Sequence, residues 1–172
     1  MTGPPGAGKS TVARALADAS ERSVLVEGDA FFAFLARGRI EPWLPGSHDQ
    51  NTIVTEAAAS AAGRFALGGY DTVYDGVVGP WFLPTFASAT GLHELDYAIL
   101  MPSVARCLRR VAERVGHGFD DPAATAKMYD EFARAGIAPR HVLHDPPDTV
   151  EEVVELIRGA RSRSELCYTP TG

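Results

Sequence analysis

Short apolar runs alternate along this chain with longer stretches of helical periodicity. Ser23–Glu27 (Ser-Val-Leu-Val-Glu) is too short for a helix and reads as a buried strand. Asp71–Tyr74 opens a second strand, predicted to run on through 75–79 and stop at Pro80. Tyr97–Met101 is a third, closed by Pro102, and Arg140–Leu143 is the last. Helices are predicted between them over Thr11–Ala19, Thr52–Leu67, Ser103–Val115, Asp121–Ala135 and Thr149–Arg161. Their ends carry local signals. Gly68-Gly69 stops the second, Ser103 caps the third, Asp121 precedes a first-turn Pro122, and acidic residues open the last. A βα alternation of this kind implies an α/β domain, with a parallel sheet covered by helices on both faces. Ligands in such sheets bind outside the carboxyl ends of the strands, so the residues just after each strand are the ones to inspect.

The sharpest local pattern lies at the start. Gly3-Pro4-Pro5-Gly6-Ala7-Gly8-Lys9-Ser10 fits G-x-x-x-x-G-K-[ST], the phosphate-binding P-loop. Glycines let several N–H groups of a tight turn converge on one phosphate chain. Lys9 supplies a cation for the β- and γ-phosphates, Ser10 a hydroxyl for Mg²⁺, and the following helix a positive N-terminus. The nucleotide-binding set is therefore Gly3, Pro5, Gly6, Ala7, Gly8, Lys9, Ser10 and Thr11, with ATP and Mg²⁺ as the cofactors. A P-loop ordinarily follows a buried central strand. Only Met1 and Thr2 precede Gly3, so that first strand is expected to be largely missing and the sheet to be weakened at its centre.

Composition narrows the partners. The 172 residues suit one domain, expected over 1–163, with a loose polar tail over 164–172. A net charge of −6 argues against a general nucleic-acid binder. No run of eighteen apolar residues suggests a membrane span. Fourteen arginines against two lysines suit planar recognition of phosphate. Cys107 and Cys167 form no disulfide or metal framework, which points to a reducing, cytoplasmic setting. The expected partner is a small-molecule hydroxyl acceptor, with neither nucleic acid nor membrane, and the chain acting as a monomer or homodimer.

The strand ends carry the remaining chemistry. Asp29, after Glu27-Gly28, is placed to take the proton of an attacking hydroxyl or to hold a water on Mg²⁺; the plainer reading is a helix cap. Asp75 ends the next strand and is the candidate Mg²⁺ ligand beside Ser10; the plainer reading is a strand-ending Asp-Gly turn. Two aromatic segments, 31–49 and 80–86, follow strand ends. Phe31, Trp43 and Trp81 are picked from them to face a substrate, with His48 and Asp49 as possible polar contacts. Arg106, Arg110 and Arg114 share one helix face. Arg110 and Arg114 are the candidate catalytic arginines of a lid hinged at the glycines of 115–119.

Gly3–Thr11, Gly28-Asp29, Asp75, the arginine helix and Asp145-Pro146-Pro147-Asp148 together resemble the P-loop kinases of small metabolites. That group includes gluconate, shikimate and adenylylsulfate kinases, chloramphenicol phosphotransferase and the zeta-toxin-type kinases. The resemblance implies a three-layer α/β/α fold with strand order 2-3-1-4-5. It implies that Asp29 is the acceptor-site carboxylate and catalytic base, that Arg110 or Arg114 is the lid arginine, and that 146–149 sits by the adenine. The function expected is transfer of the ATP γ-phosphate to a small-molecule hydroxyl, with Lys9, Asp29, Arg110 and Arg114 as the catalytic set. A nucleoside monophosphate kinase, with Arg37, Arg39 or Arg64 on the acceptor phosphate, or a nucleotide-sugar kinase are alternatives. A non-catalytic ATP-binding module is the alternative of another class. A guanine-specific switch is disfavoured, because neither lysine lies in an Asn-Lys-x-Asp motif.

Overall fold

A computed structural model describes residues 1–113 and 121–170 of the chain. Its helices and strands are α1 (Lys9–Asp18), β1 (Ser23–Glu27), α2 (Gly28–Phe32), α3 (His48–Leu67), β2 (Asp71–Asp75), α4 (Leu83–Thr90), β3 (Leu95–Asp96), β4 (Ile99–Met101), α5 (Val104–Ala112), α6 (Pro122–Arg134), β5 (Val142–His144), α7 (Val150–Ser162) and β6 (Cys167–Tyr168). A single 3₁₀ turn, Pro139–His141, leads into β5. The mixed α/β architecture is the one that the alternation of patterns implies.

Two parallel pairs form the centre. β1 runs beside β2 with Ser23 opposite Asp71 and Glu27 opposite Asp75. β4 runs beside β5 with Ile99 opposite Val142 and Met101 opposite His144. Met1 and Thr2 stand where the pairs face each other. Thr2 N–H donates to Ala98 O at 2.9 Å, and Leu100 N–H donates back to Thr2 O at 2.8 Å, a parallel bridge to Ile99. On the other side the Met1 ammonium donates to Tyr74 O of β2 at 2.9 Å. Two residues thus touch both halves of the sheet.

Strand alternation sends side chains of the 97–101 segment to opposite faces. Ala98 and Leu100 pack with Val12 of α1 and with Val153, Val154 and Ile157 of α7. Tyr97, Ile99 and Met101 pack with Leu83 of α4 and Phe132 of α6. A third cluster joins Ala59 of α3, Val78 and Phe86 of α4 beside Tyr74. A fully buried Leu or Ile of this kind stabilises by roughly 1.5–3 kcal/mol relative to an exposed one. The segment 97–101 feeds both layers at once, which explains why it is apolar at every position.

Three features depart from the sequence reading. The second strand stops at Asp75 and does not continue to Gly79. Val78 turns away from the ladder because its N–H donates to Thr2 Oγ1 at 2.9 Å and its carbonyl accepts from Tyr97 OH at 2.7 Å. The tail does not begin loose. Leu166 is buried, its carbonyl accepts from Tyr97 N–H at 2.8 Å, and β6 pairs antiparallel with β3. That small antiparallel pair was not expected beside a parallel sheet, because two-residue strands carry no period to read. Beyond it, His141 is buried with Nδ1 2.9 Å from Tyr97 O, and burial pushes its pKa below the ordinary imidazole value.

α3 and α4 pack closely at Gly63, where a Cβ would run into the Thr90 carbonyl. Gly63→Ala gains up to about 1 kcal/mol of helix propensity. It forces one helix backbone off another, an overpacking cost of about 1–3 kcal/mol. The clash is expected to win and to lower the melting temperature by several degrees, read by thermal denaturation; an unchanged or raised value would show that the two helices can slide apart.

Candidate functional site

Several of the residues singled out from sequence, the loop 3–8, Asp29 and Asp75, lie at the carboxyl ends of the Thr2 bridge, β1 and β2. The loop 3–8 leads from the Thr2 bridge into α1. Gly3, Gly6 and Gly8 have φ of 147°, 77° and 94°, a backbone that L side chains rarely adopt. Gly8 also caps α1, with no side chain accepting from the first-turn amides.

The loop is shaped by what presses on it. A Cβ at Gly3 would run into Leu100 O, and one at Gly6 into Cys107 O of α5. Arg110 Nη1 donates to Ala7 O at 3.3 Å and lies beside Gly8. Lys9 Nζ folds over the loop to donate to Pro4 O at 3.1 Å. Burial pushes the Cys107 thiol up, while Lys9, Arg110 and Arg106 pull it the other way. Two cations, Lys9 and Arg110, therefore converge on one loop in a chain that is acidic overall.

Arg106, one turn before Arg110, turns to the opposite loop. Nη1 donates to Pro146 O at 3.1 Å and Nη2 pairs with Asp148 Oδ1 at 2.9 Å. Asp145 holds the turn with φ of 39°, its N–H bonded to Met101 O at 3.1 Å. α5 thus contacts both loops that the sequence reading assigns to a nucleotide. Arg114 and the glycine hinge of 115–119 lie outside the described residues.

The acidic side follows β1 and β2. Asp29 is exposed in the first turn of α2, whose cap is Glu27, so it does not itself cap a helix beginning at Ala30. Asp75 is the opposite case. It is 8% exposed, and its Oδ1 is buried with no hydrogen-bond partner among the described residues. A buried carboxylate oxygen left unpaired costs on the order of 1–3 kcal/mol or more, so it marks a position built for something besides packing.

Tyr74 was missed from sequence. Its hydroxyl lies against Gly28, where a Cβ would strike it, and its ring covers Gly76 and meets Phe86 with centroids 4.6 Å apart. Burial, with Asp29 and Asp75 nearby, pushes this phenol well above its ordinary range. It is a neutral hydroxyl between two carboxylates. The signal available was the glycine pair, Gly28 and Gly76, which flank the paths that a large ring crosses.

The aromatic candidates separate. Phe31 is half-buried and meets Phe34 edge-on at 5.3 Å. Trp43 is half-buried in the 33–47 loop. The start of α3 holds that loop: Asn51 Nδ2 donates to Pro42 O at 2.8 Å, and Gln50 bonds the Ile40 backbone in both directions. Trp81 packs against Phe132 of α6 at 5.2 Å and covers Gly79. His48 stacks on Phe82 at 5.6 Å. Phe86 is core.

No protein-family profile matches the chain, and no curated protein sequence matches it. A solved structure does. The crystal structure of an unliganded sugar kinase from Janibacter sp. HTCC2649 is similar over 93% of this chain and 90% of that one, with a TM-score of 0.67 and 20% identity. At that identity the likeness is one of fold: the chain has a mixed α/β fold shared with a kinase. No helix of the described residues is long and apolar enough to cross a membrane. Both cysteines are free.

The contact of α5 with the loop can be isolated. Gly6→Ala and Gly38→Ala both place a side chain at positive φ, 77° and 74°, but nothing lies within 4 Å of a Cβ at Gly38. Backbone strain alone is worth about 1–2 kcal/mol. Gly6→Ala is therefore expected to lower the melting temperature several degrees more than Gly38→Ala; equal losses would mean that α5 yields freely.

Proposed function

We propose that the protein is an ATP- and Mg²⁺-dependent kinase that transfers the γ-phosphoryl group to a hydroxyl of a small molecule. The observation that carries this reading is the loop 3–8. It has a backbone of positive-φ glycines at a helix N-terminus, with Lys9 and Arg110 both folded onto its carbonyls. That is a ready anion cradle. The pairing of β1 with β2 and of β4 with β5, with Thr2 bridged to Ile99, supports the 2-3-1-4-5 order that the resemblance implies.

The donors fit the ion. Mg²⁺ takes hard oxygen ligands and is completed by phosphate oxygens and water. Asp75 offers an orphaned buried carboxylate oxygen, and Ser10 a hydroxyl on the first turn of α1. When bound there, the ion would neutralise charge on the phosphates.

The chain's own residues divide the work. Gly3, Pro5, Gly6, Ala7, Gly8, Ser10 and Thr11 position the phosphates. Lys9 and Arg110 leave their carbonyl partners for phosphate oxygens and offset charge as it spreads over the transferring group. Asp29, solvent-facing and acidic, takes the acceptor's proton as the oxygen–phosphorus bond forms and the bond to the leaving ADP oxygen breaks. Tyr74 places its neutral hydroxyl near that carboxylate. Phe31 and Trp43 flank the acceptor side, whereas Trp81, held on Phe132, shapes the wall from behind. Arg114 remains a lid candidate. The likeness to a sugar kinase makes polyhydroxylated sugars the first acceptors to screen.

Two substitutions test the reading in an ADP-release assay over an acceptor panel. Lys9→Ala is expected to lower turnover at least 10²–10³-fold, the scale of losing one donor to a developing charge. Asp29→Asn is expected to cut turnover about 10²–10⁴-fold while nucleotide affinity by calorimetry stays within a few fold. Full turnover by Asp29→Asn would remove the base assignment; ATP binding without turnover on any acceptor would favour a non-catalytic module.

A further inference from the structure

The end of β2 carries a hydroxyl with no task in the packing. Tyr74 is bonded through its backbone, and among the described residues its phenol takes part in no hydrogen bond. Its place is nevertheless fixed. Gly28 is the residue after β1, and Gly76 the residue after β2. A Cβ at Gly28 would strike the hydroxyl, and one at Gly76 would come within 2.8 Å of it. The oxygen therefore lies over the carboxyl ends of both strands, where ligands of a parallel sheet bind. Behind it the ring packs on the cluster of Ala59, Val78 and Phe86, meeting Phe86 with centroids 4.6 Å apart. Two glycines in front and a core cluster behind leave the ring few rotamers.

Two carboxylates flank that oxygen. Asp29 follows Gly28, and Asp75 precedes Gly76. Burial and these two charges keep the phenol protonated, so it has a proton to donate. Asp75 is buried, whereas Asp29 is exposed and open to a ligand. An ionised carboxylate only accepts, and the phenol beside it donates. The pair is complementary to two neighbouring hydroxyls: one gives its hydrogen to Asp29, and the oxygen of the other accepts from Tyr74. A phosphate in the same place meets two like charges. Of the three arginines considered for an acceptor phosphate, Arg39 pairs with Glu41 at 3.3 Å. Arg64 lies in the last turn of α3, which leads into the amino end of β2, away from Asp29. Only Arg37, on the exposed 33–47 loop, has no ion pair among the described residues.

We infer that Tyr74 determines acceptor specificity, its hydroxyl donating to the oxygen next to the one that Asp29 deprotonates, and that the acceptor is a neutral compound with adjacent hydroxyls. The role of Asp29 in this inference rests on the phosphotransfer reading. Tyr74 adds to it a requirement for a second oxygen beside the reacting one. The proton of the reacting hydroxyl passes to Asp29, the phosphoryl group passes from ATP to that oxygen, and ADP leaves. Tyr74 keeps its own proton throughout. A compound that lacks the neighbouring hydroxyl leaves the phenol without a partner in a water-poor place, which is how a site rejects a deoxygenated analogue.

The test crosses Tyr74→Phe with deoxygenated acceptors. Wild type and variant are assayed for ADP release on neutral pentoses, hexoses and their polyols, on the matching single-deoxy compounds, and on sugar monophosphates. Binding of the same sugars without ATP is measured by calorimetry. Tyr74→Phe keeps the ring on Phe86, so the fold is expected to survive, checked by thermal denaturation. The wild type is expected to prefer the best neutral acceptor over its analogue lacking the neighbouring hydroxyl by about tenfold in kcat/KM, the scale of one hydrogen bond. In Tyr74→Phe that ratio should fall to about one, because the two deletions remove the same bond, with the change in KM and not in kcat. A purely structural tyrosine would weaken both acceptors by one factor and leave the ratio at its wild-type value, which would overturn the proposal. Faster turnover of a sugar monophosphate than of any neutral sugar would overturn it too, as would failure of every neutral sugar and polyol to bind or react. Sugar binding whose ratio collapses in Tyr74→Phe, with no turnover on any acceptor, would support the role of Tyr74 and sink only the phosphotransfer reading.

Discussion

Everything in this fold leans on Thr2. Its N–H and carbonyl hold the 98–100 edge, and its hydroxyl takes the Val78 N–H that would otherwise be orphaned past the end of β2. At 1% exposure it is a buried polar residue with its groups engaged, the condition under which burial of a polar group is tolerated. The two parallel pairs share no other backbone ladder among the described residues. The glycine loop starts one residue later, so its position relative to β2, β4 and α5 is set by those three bonds. The loop's attachment to the sheet therefore runs through one residue's hydrogen bonds.

The loop in turn is defined more by pressure than by its own sequence. Leu100 O and Cys107 O come so near Gly3 and Gly6 that no side chain fits. These glycines are required by their conformation and, independently, by the approach of a strand and a helix. Backbone is rigid compared with a side chain, so the constraint cannot relax by a change of rotamer. The cations then arrive from different directions, Lys9 from α1 onto Pro4 O and Arg110 from α5 onto Ala7 O.

Much of this was legible from the residues. The four parallel strands and five of the longer helices were readable because length and period separate them, whereas α4 was not anticipated, and Gly3–Ser10 was readable because each of its positions has a physical task. Arg110 was singled out from helical spacing, and its guanidinium meets the loop at Ala7 O. Other features required three dimensions. The strand after Asp71 looked longer because Val77 and Val78 are apolar, yet Val78 serves Thr2 and not a ladder. Leu166 and β6 looked loose because two residues carry no periodicity. Tyr74 reads as an ordinary strand residue until Gly28 and Gly76 are seen to make way for it. Trp81 was chosen for following a strand end, but its partner, Phe132, comes from a helix fifty residues downstream, a contact that no local pattern encodes.

α5 has a consequence beyond its packing. Arg106 and Arg110 are one turn apart on the same rigid rod, and they hold two different loops, one at Pro146 and Asp148 and the other at Ala7. A helix cannot stretch over one turn. Any small roll or shift of α5 that frees Arg110 from its carbonyl must therefore also tug on the loop after β5. The two ends of an elongated guest lying across these loops would be felt by the same strut, so that filling one end alters how the other is met. Mechanical linkage of this kind lets a protein register whether a long molecule is present along its whole length, using one turn of helix and two arginines.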